Sequence, residues 1–386
     1  MDRRFDAVIV GGGILGTFHA YHALELGLRV CLVEKDLFAR GATTQNFGQV
    51  VPSGMNGKWQ QFGRESLRIY KEIQARFDIG VRAQGTVYLA SDQEEEQLLL
   101  ELRDINQGHD YPSNMLTKAQ CLERFPGLRE DYVRAGLFFP GELTVEPRTM
   151  IHRLQEFLKK EKGLHIKTGF PVISCEREGE WTKVRSSTQE GLWAKKVIIC
   201  NGSEFKMLYP DLFAGSDLEV SKLQMMQTVP QGNHRLPGSI LSGWSIRRYE
   251  AFQECPSFAQ IKAREDVDSP QRKWGVHILF KQAIDGSVIL GDSHQYAAAE
   301  RVEELGYDLD MQIDHFMVEE AKKIIQLPSY EIRNRWYGMY AQCRTADLYH
   351  NTLDGCIHII TGIGGKGMTG SAGFAKDSTA KIFNLK

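Results

Sequence analysis

The residues best suited to chemistry lie at the start of the chain. Gly11, Gly13 and Gly16 form a G-x-G-x-x-G turn between an apolar segment, Phe5 to Val10, and a helical one that opens near Ile14. In that setting the first glycine permits a tight turn, the second lets the backbone approach a pyrophosphate, and the third lets helix and strand pack closely. Unpaired N–H groups around Ile14 and Leu15, with the positive end of the helix dipole, then face phosphate oxygens. Glu34 follows Gly16 by eighteen residues and ends the next apolar segment. Its carboxylate can accept hydrogen bonds from both hydroxyls of an adenosine ribose and would repel a 2′-phosphate. The chemistry is dinucleotide binding; the competing reading is a glycine-rich turn in an unrelated α/β protein.

Three later segments favour a flavin over a nicotinamide. Arg40 to Gln49 is small and polar, and Gly41, Ala42, Thr43, Asn46, Gly48 and Gln49 can wrap phosphates and reach a ring beyond them. Lys196 to Gly202 reads as a strand that ends in Asn201 and Gly202, suited to pass an adenine. Gly362, Gly364, Gly365, Lys366, Gly367 and Met368 lie between a strand and the last helix. A reduced flavin carries negative charge over N1 and the C2 oxygen, which backbone N–H groups at a helix N-terminus can stabilise. Lys366 adds a formal charge there or is a surface lysine in a turn. Lys35, Val172 and Gly338 complete the expected cofactor contacts.

The glycine turn, Glu34, the Gly41-Ala42-Thr43…Asn46-x-Gly48 segment, Trp336-Tyr-Gly338 and Gly362-x-Gly364-Gly365-x-Gly367 resemble the D-amino acid oxidase family of flavoproteins, in particular its glycine oxidase and sarcosine oxidase branch. The resemblance implies FAD, an α/β (α+β) fold with a Rossmann-like FAD-binding domain and an antiparallel-sheet substrate domain, and oxidation of a C–N bond. A neutral amine would give hydride to flavin N5, the imine would be hydrolysed, and O2 would reoxidise the flavin with release of H2O2. Some relatives attach flavin to a cysteine before the C-terminal glycine loop; Tyr340 stands there, with Cys343 three residues on, so the FAD is expected to be non-covalent. Glycine oxidase-like enzymes clamp a substrate carboxylate with an arginine near the same position, and Tyr340 replaces it too. The Gly365-Lys366-Gly367-Met368-Thr369 ending, with Gly291-Asp-Ser-His294, resembles a subgroup linked to phosphonate breakdown. That implies a small aminophosphonate, such as a hydroxylated or N-methylated 2-aminoethylphosphonate.

Candidates for the substrate cavity are Gln49, His277, Lys281, His294, Trp336, Tyr340, Gln342, Arg344 and Lys366. So many Lys, Arg and His residues would suit a small anionic amine, although each histidine can equally be a satisfied structural hydrogen-bonder. No His-Glu-x-x-His occurs and no metal is expected; His19 and His22 read as packing residues.

These residues need elements to hold them. Helices are expected over Ile14–Leu26, Lys58–Phe77, Gln93–Asn106, from Pro147, Asp308–Ile325 and Thr369–Asn384, and Glu94-Glu95-Glu96 reads as a solvated face. Strands are expected at Arg29–Glu34, Thr86–Ala90, through 164–200, at Leu218–Val229, Trp274–Lys281, Ser287–Gly291 and Ile357–Thr361; Pro112–Pro140 reads as irregular. The β-α-β pattern at both termini implies a discontinuous FAD-binding domain, 1–80, 141–215 and 330–386, with a substrate domain of 81–140 and 216–329. A chain of 386 residues with net charge −2 gives no field for nucleic acid or membrane surfaces. Seven cysteines without Cys-x-x-Cys spacing suit a reducing, cytoplasmic setting. Two other readings stay open beside the amine oxidase: a quinone-linked dehydrogenase of an alcohol or polyol phosphate, and a non-enzymatic FAD-binding assembly protein.

Overall fold

A computed structural model describes residues 3–384. The apolar runs Arg4–Val10, Val30–Val33, Gly191–Ile199 and Ile357–Thr361 are parallel neighbours in one sheet. They are buried through most of their length because helices cover one face and the Val172–Glu178 and Trp181–Ser186 strands, with Phe205, Phe213, Leu218 and Val220, cover the other. The sheet order is Tyr349–Leu353, Ile357–Thr361, Gly191–Ile199, Arg4–Val10, Val30–Val33, His165–Lys167, with Val172–Glu178 and Trp181–Ser186 extending Gly191–Ile199 as a hairpin. Register pairs Val10 with Val33 and with Ile199, and Ile199 with Ile359. The carboxyl ends of the strands therefore finish side by side. The glycine turn, Glu34, Cys200–Gly202 and Thr361–Gly362 all leave the sheet along that edge, where open α/β sheets bind ligands.

Two helices close this layer from opposite ends of the chain. The helix Ile14–Glu25 packs on the C-terminal helix Gly367–Ile382, which in turn lies against Gly57–Arg76. The last contact is close enough that a Cβ at Gly373 would sit 2.2 Å from the Phe62 carbonyl oxygen. His19 and His22 are buried in this packing, bonded to Leu15 and Ser378 and to Ala372.

The second sheet runs Gln295–Ala298, Leu218–Thr228, Val288–Gly291, Leu279–Gln282, Ser239–Leu241, Thr86–Ala90, Ala135–Phe139, Asn114–Thr117, with Ile332–Cys343 along the other side of Leu218–Thr228. Several elements differ from expectation. Residues 112–140 are not irregular: Asn114–Thr117 and Ala135–Phe139 pair antiparallel, and Lys118–Arg124 is a helix started by a Thr117–Gln120 capping box. The strand expected over Trp274–Lys281 is shorter, Leu279–Gln282, leaving His277 in the segment before it. The helix expected from Asp308 begins at Met311, capped by the Asp310 side chain. The boundary expected at 330 falls early, because Ile332–Cys343 belongs to the second sheet. Glu95, expected in solvent, is buried and accepts from Arg247 Nε at 2.9 Å.

Candidate FAD and substrate site

A cavity of about 1320 Å³ lies between the strand ends of the first sheet and one face of the second. At one end is the glycine turn. Gly11 has φ +105°, and a Cβ there would meet the Cys200 carbonyl oxygen at 2.2 Å; at Gly16 it would meet the Gly11 carbonyl oxygen at 2.1 Å. At Gly13 the same test finds only Thr43 Oγ1, at 3.2 Å, so that backbone is open to a ligand. The helix Ile14–Glu25 has no side-chain cap at Gly13, and its first-turn residues Ile14, Leu15 and Gly16 line the cavity. Thr43 Oγ1 accepts from Ile14 N at 2.9 Å, which ties the following loop to the helix start.

Glu34 stands beside the turn. Its Oε2 accepts from Gly12 N at 2.8 Å and its Oε1 from Asp36 N at 3.1 Å, leaving lone pairs on both oxygens for a ribose. Gln155, a residue with no sequence signal, donates to the Gly12 carbonyl at 2.7 Å and fixes the turn from the helix Pro147–Lys162. Lys35, Gly41, Ala42, Thr43, Asn46, Gly48, Gln49, Val172, Asn201, Gly202 and Gly338 all line the cavity. Asn46 holds its loop internally, donating to the Ala42 and Thr43 carbonyls and accepting from Gly48 N at 2.7 Å. Asn201 Oδ1 and Gln49 Nε2 are buried in the cavity wall with no protein partner.

A second cradle comes from residues 362–368. Gly362, Gly364, Gly365, Lys366, Gly367 and Met368 line the cavity, and the sixteen-residue helix Gly367–Ile382 opens there without a side-chain cap. Tyr70 anchors the loop by donating to the Met368 carbonyl at 3.0 Å. Two uncapped helix starts, a ribose-type carboxylate and two unpartnered buried amide atoms fit a long dinucleotide cofactor with an electron-rich ring at the C-terminal loop.

Beyond that loop the cavity is walled by Arg248, Tyr249, His277, Asp292, His294, Tyr296 and Tyr340. His277 Nδ1 lies 3.0 Å from Ser245 Oγ and its Nε2 2.8 Å from Asp292 Oδ1. His294 Nδ1 lies 3.0 Å from the Gly275 carbonyl. A carbonyl only accepts, so Nδ1 of His294 carries the proton and Nε2 keeps a lone pair. Burial, reinforced by Arg248, depresses His294 to about 3, and burial likewise lowers His277 against the pull of Asp292. Burial opposes ionisation of Asp292, but the facing His294 and His277 rings, the His277 contact and Arg248 together hold its carboxyl below the ordinary range. The ligand atoms of His277, Asp292 and His294 lie within 4.8 Å of one another, a grouping the sequence spacing did not reveal.

Other expected substrate residues fall differently. Gln49, His277, His294, Tyr340, Gln342, Arg344 and Lys366 line the cavity. Lys366 does not present a free charge to it, because Nζ pairs with Glu250 at 2.9 Å and Asp347 at 3.3 Å. Arg344 is exposed at the rim, donating to the Asp217 carbonyl at 3.3 Å. Trp336 lies off the cavity, with the Arg148 guanidinium 4.9 Å over its ring. Lys281 is buried elsewhere against the Val145 carbonyl and Glu146. The cation that does face the site is Arg248, which follows the four-residue helix Gly243–Ile246 and has no motif around it to mark it.

The sequence profile of the DAO family, described as FAD dependent oxidoreductase, matches residues 6–380. Glycine oxidase of Bacillus subtilis (strain 168) is 25% identical over 226 residues, which is 55% of this chain and 58% of that protein. Mitochondrial dimethylglycine dehydrogenase of Rattus norvegicus is 26% identical over 209 residues, 50% of this chain and 24% of that protein. The chain thus spans between 24% and 58% of the length of these curated relatives. The crystal structure of glycine oxidase from Geobacillus kaustophilus superposes with a TM-score of 0.78 at 15% identity, covering 100% of this chain and 96% of that one, a likeness of fold.

Proposed function

The chain belongs to the DAO family of FAD-dependent oxidoreductases and binds FAD, and from that we propose that it oxidises the C–N bond of a small amine bearing a separate anionic group. FAD, when bound, supplies the two-electron acceptor, and we assign its reoxidation to O2 with release of H2O2. The observation that carries the substrate reading is Arg248. It lines the cavity, its guanidinium stays charged at any working pH, and it donates to the Tyr296 hydroxyl at 2.9 Å. A guanidinium free of carboxylates is suited to clamp a carboxylate or phosphonate by paired hydrogen bonds.

The chain's own residues then divide the work. Gly13, Ile14 and Leu15 hold phosphates, Glu34 the ribose, and the start of Gly367–Ile382 the electron-rich edge of the ring. Tyr340, whose hydroxyl faces Gly365, closes the cavity beside that loop, and the Tyr296 hydroxyl accepts from Arg248. Among anionic amines, an aminophosphonate such as 2-aminoethylphosphonate or its N-methyl or hydroxyl derivatives is the substrate we favour. The phosphonate dianion suits a guanidinium, and the carboxylate-clamping arginine expected at Tyr340 is missing. Carboxylate amines such as glycine and sarcosine are the next candidates, glycine in keeping with the glycine oxidase among the relatives.

Anaerobic mixing of the holoenzyme with a panel of aminophosphonates, glycine, sarcosine and other N-methyl amines tests this. Bleaching of the flavin's visible band by an anionic amine is expected, and bleaching by none of them sinks the reading. Loss of Arg248 as Met should raise KM for the active amine about 100-fold with a smaller change in kcat, since two charge-assisted hydrogen bonds are removed. The acceptor-bearing His294 beside Arg248 also favours a second reading, a polyol-phosphate dehydrogenase. Bleaching by glycerol 3-phosphate, with slow reoxidation in air, would select it. The cavity open beside the ring site weighs against a purely structural use of FAD.

A further inference from the structure

Two opposite charges face the substrate end of the cavity, and among the described residues neither has an opposite charge within 4.0 Å except through a histidine. Arg248 holds the Tyr296 hydroxyl. Asp292, only 7% exposed, lies against His277 and His294. His277 Nε2 lies 2.8 Å from Asp292 Oδ1, and the remaining lone pairs of the carboxylate are left to accept from a ligand. His294, 6% exposed, adds the Nε2 lone pair left by its bond to Gly275. This wall of the cavity therefore offers acceptors and negative charge, while Arg248 offers donors and positive charge. An unpaired buried carboxylate is costly, and a ligand that supplies the missing cation recovers that cost.

We propose that Asp292 is the binding site for the substrate's ammonium group, with His294 Nε2 as its second acceptor, so that the amine is taken as a zwitterion spanning Asp292 and Arg248. This rests on the reading of an anionic amine given above and adds the residue that recognises its nitrogen. The depressed titration of both histidines keeps them neutral and leaves Asp292 the sole negative charge among them. Ser245 is a positioning residue, fixing the His277 ring behind Asp292. A divalent cation is a poorer occupant. Two of the four imidazole nitrogens are committed to Ser245 and Gly275, and Arg248 repels a second cation of double charge more than it repels an ammonium.

The test uses the holoenzyme, with ligand binding read anaerobically from perturbation of the flavin spectrum or, for an inert ligand, by calorimetry. The probes are 2-aminoethylphosphonate against 2-hydroxyethylphosphonate, and glycine against glycolate. Asp292→Asn should weaken the amine of each pair by about 30-fold, the size of one charge-assisted hydrogen bond and its ion pair. The hydroxyl counterpart should change by less than about threefold. His294→Gln should shift the same ratio in the same direction by a smaller factor, and it carries the test if the first variant does not fold. An unchanged amine-to-hydroxyl ratio in both variants overturns the proposal while leaving the anionic-amine reading intact. Failure of the unmodified enzyme to bind any amine of the panel overturns the reading beneath it. Loss of binding on treatment with EDTA, restored by zinc, overturns it in favour of a metal.

Discussion

Cys343 is the thiol nearest the loop that would receive the flavin ring: a Cβ at Gly362 would lie 3.2 Å from its sulfur. Burial, together with the neighbouring Asp217, pushes this thiol up to about 12. It is therefore a protonated, weak nucleophile at neutral pH, and a non-covalent FAD is expected. Acid precipitation of the holoenzyme should leave all the yellow colour in the supernatant; a yellow pellet would show a covalent bond. The residues of the cofactor cradle were legible because each sits in a spacing dictated by backbone geometry, as with Gly11 and Gly16, where any Cβ collides with a carbonyl. Arg248 and Asp292 were not. Their roles depend on two different loops of the second sheet meeting across a cavity, and no local pattern encodes that meeting. Lys366 misled for the converse reason. It lines the cavity, but Glu250 and Asp347, distant in sequence, take up its charge.

Glu142 belongs to the turn between Ala135–Phe139 and Leu143–Thr144, and it joins the two halves of the structure. Its Oε1 accepts from Ser53 N at 2.8 Å and from the Tyr111 hydroxyl at 3.0 Å, while Oε2 is buried without a partner. Burial raises its pKa to about 7. Because the folded value lies above the unfolded one, near 4.5, its contribution is fully present below pH 4.5 and is lost as pH rises through 7. Glu142→Gln should remove that dependence. Denaturant midpoints for this variant should fall less than those of the unmodified protein between pH 5 and 8, by about 2–3 kcal/mol in unfolding free energy. Parallel curves for the two proteins would show that Glu142 titrates normally. Long elements with a clear apolar stripe, such as Gly57–Arg76 and Pro147–Lys162, were legible at this scale. Asn114–Thr117 and Lys118–Arg124 were too short to show a period. Ile332–Cys343 alternates arginine, asparagine and aromatics instead of running apolar, so only its pairing along Leu218–Thr228 identifies it as a strand.

At the scale of the molecule, the cavity draws its walls from both sheets and from both ends of the chain. A ligand that fills it ties together surfaces that otherwise face water, and stabilises the folded state by mass action. FAD at a hundredfold excess over its dissociation constant should add about 2.7 kcal/mol. The melting temperature should rise by roughly 3 °C over the apoprotein, as differential scanning fluorimetry would read; coincident melting curves with and without FAD would contradict the cradle described above. The two-sheet architecture was legible from the β-α-β signals at either terminus. The early boundary at 330 was not, since Ile332–Cys343 serves the second sheet while the residues just after it return to the first.

The dependence of one cradle on residues 11–16 and 362–368 also orders events during synthesis. Gly11 to Gly16 leave the ribosome long before Thr361 to Met368 and have no partner loop until these follow, with Gly367–Ile382 long enough to bury against Ile14–Glu25. Cofactor loading must then come after residues 361–382 have emerged. Translation products interrupted before Thr361, whatever they fold into, stay colourless, so possession of flavin marks a polypeptide in which the two loops have met.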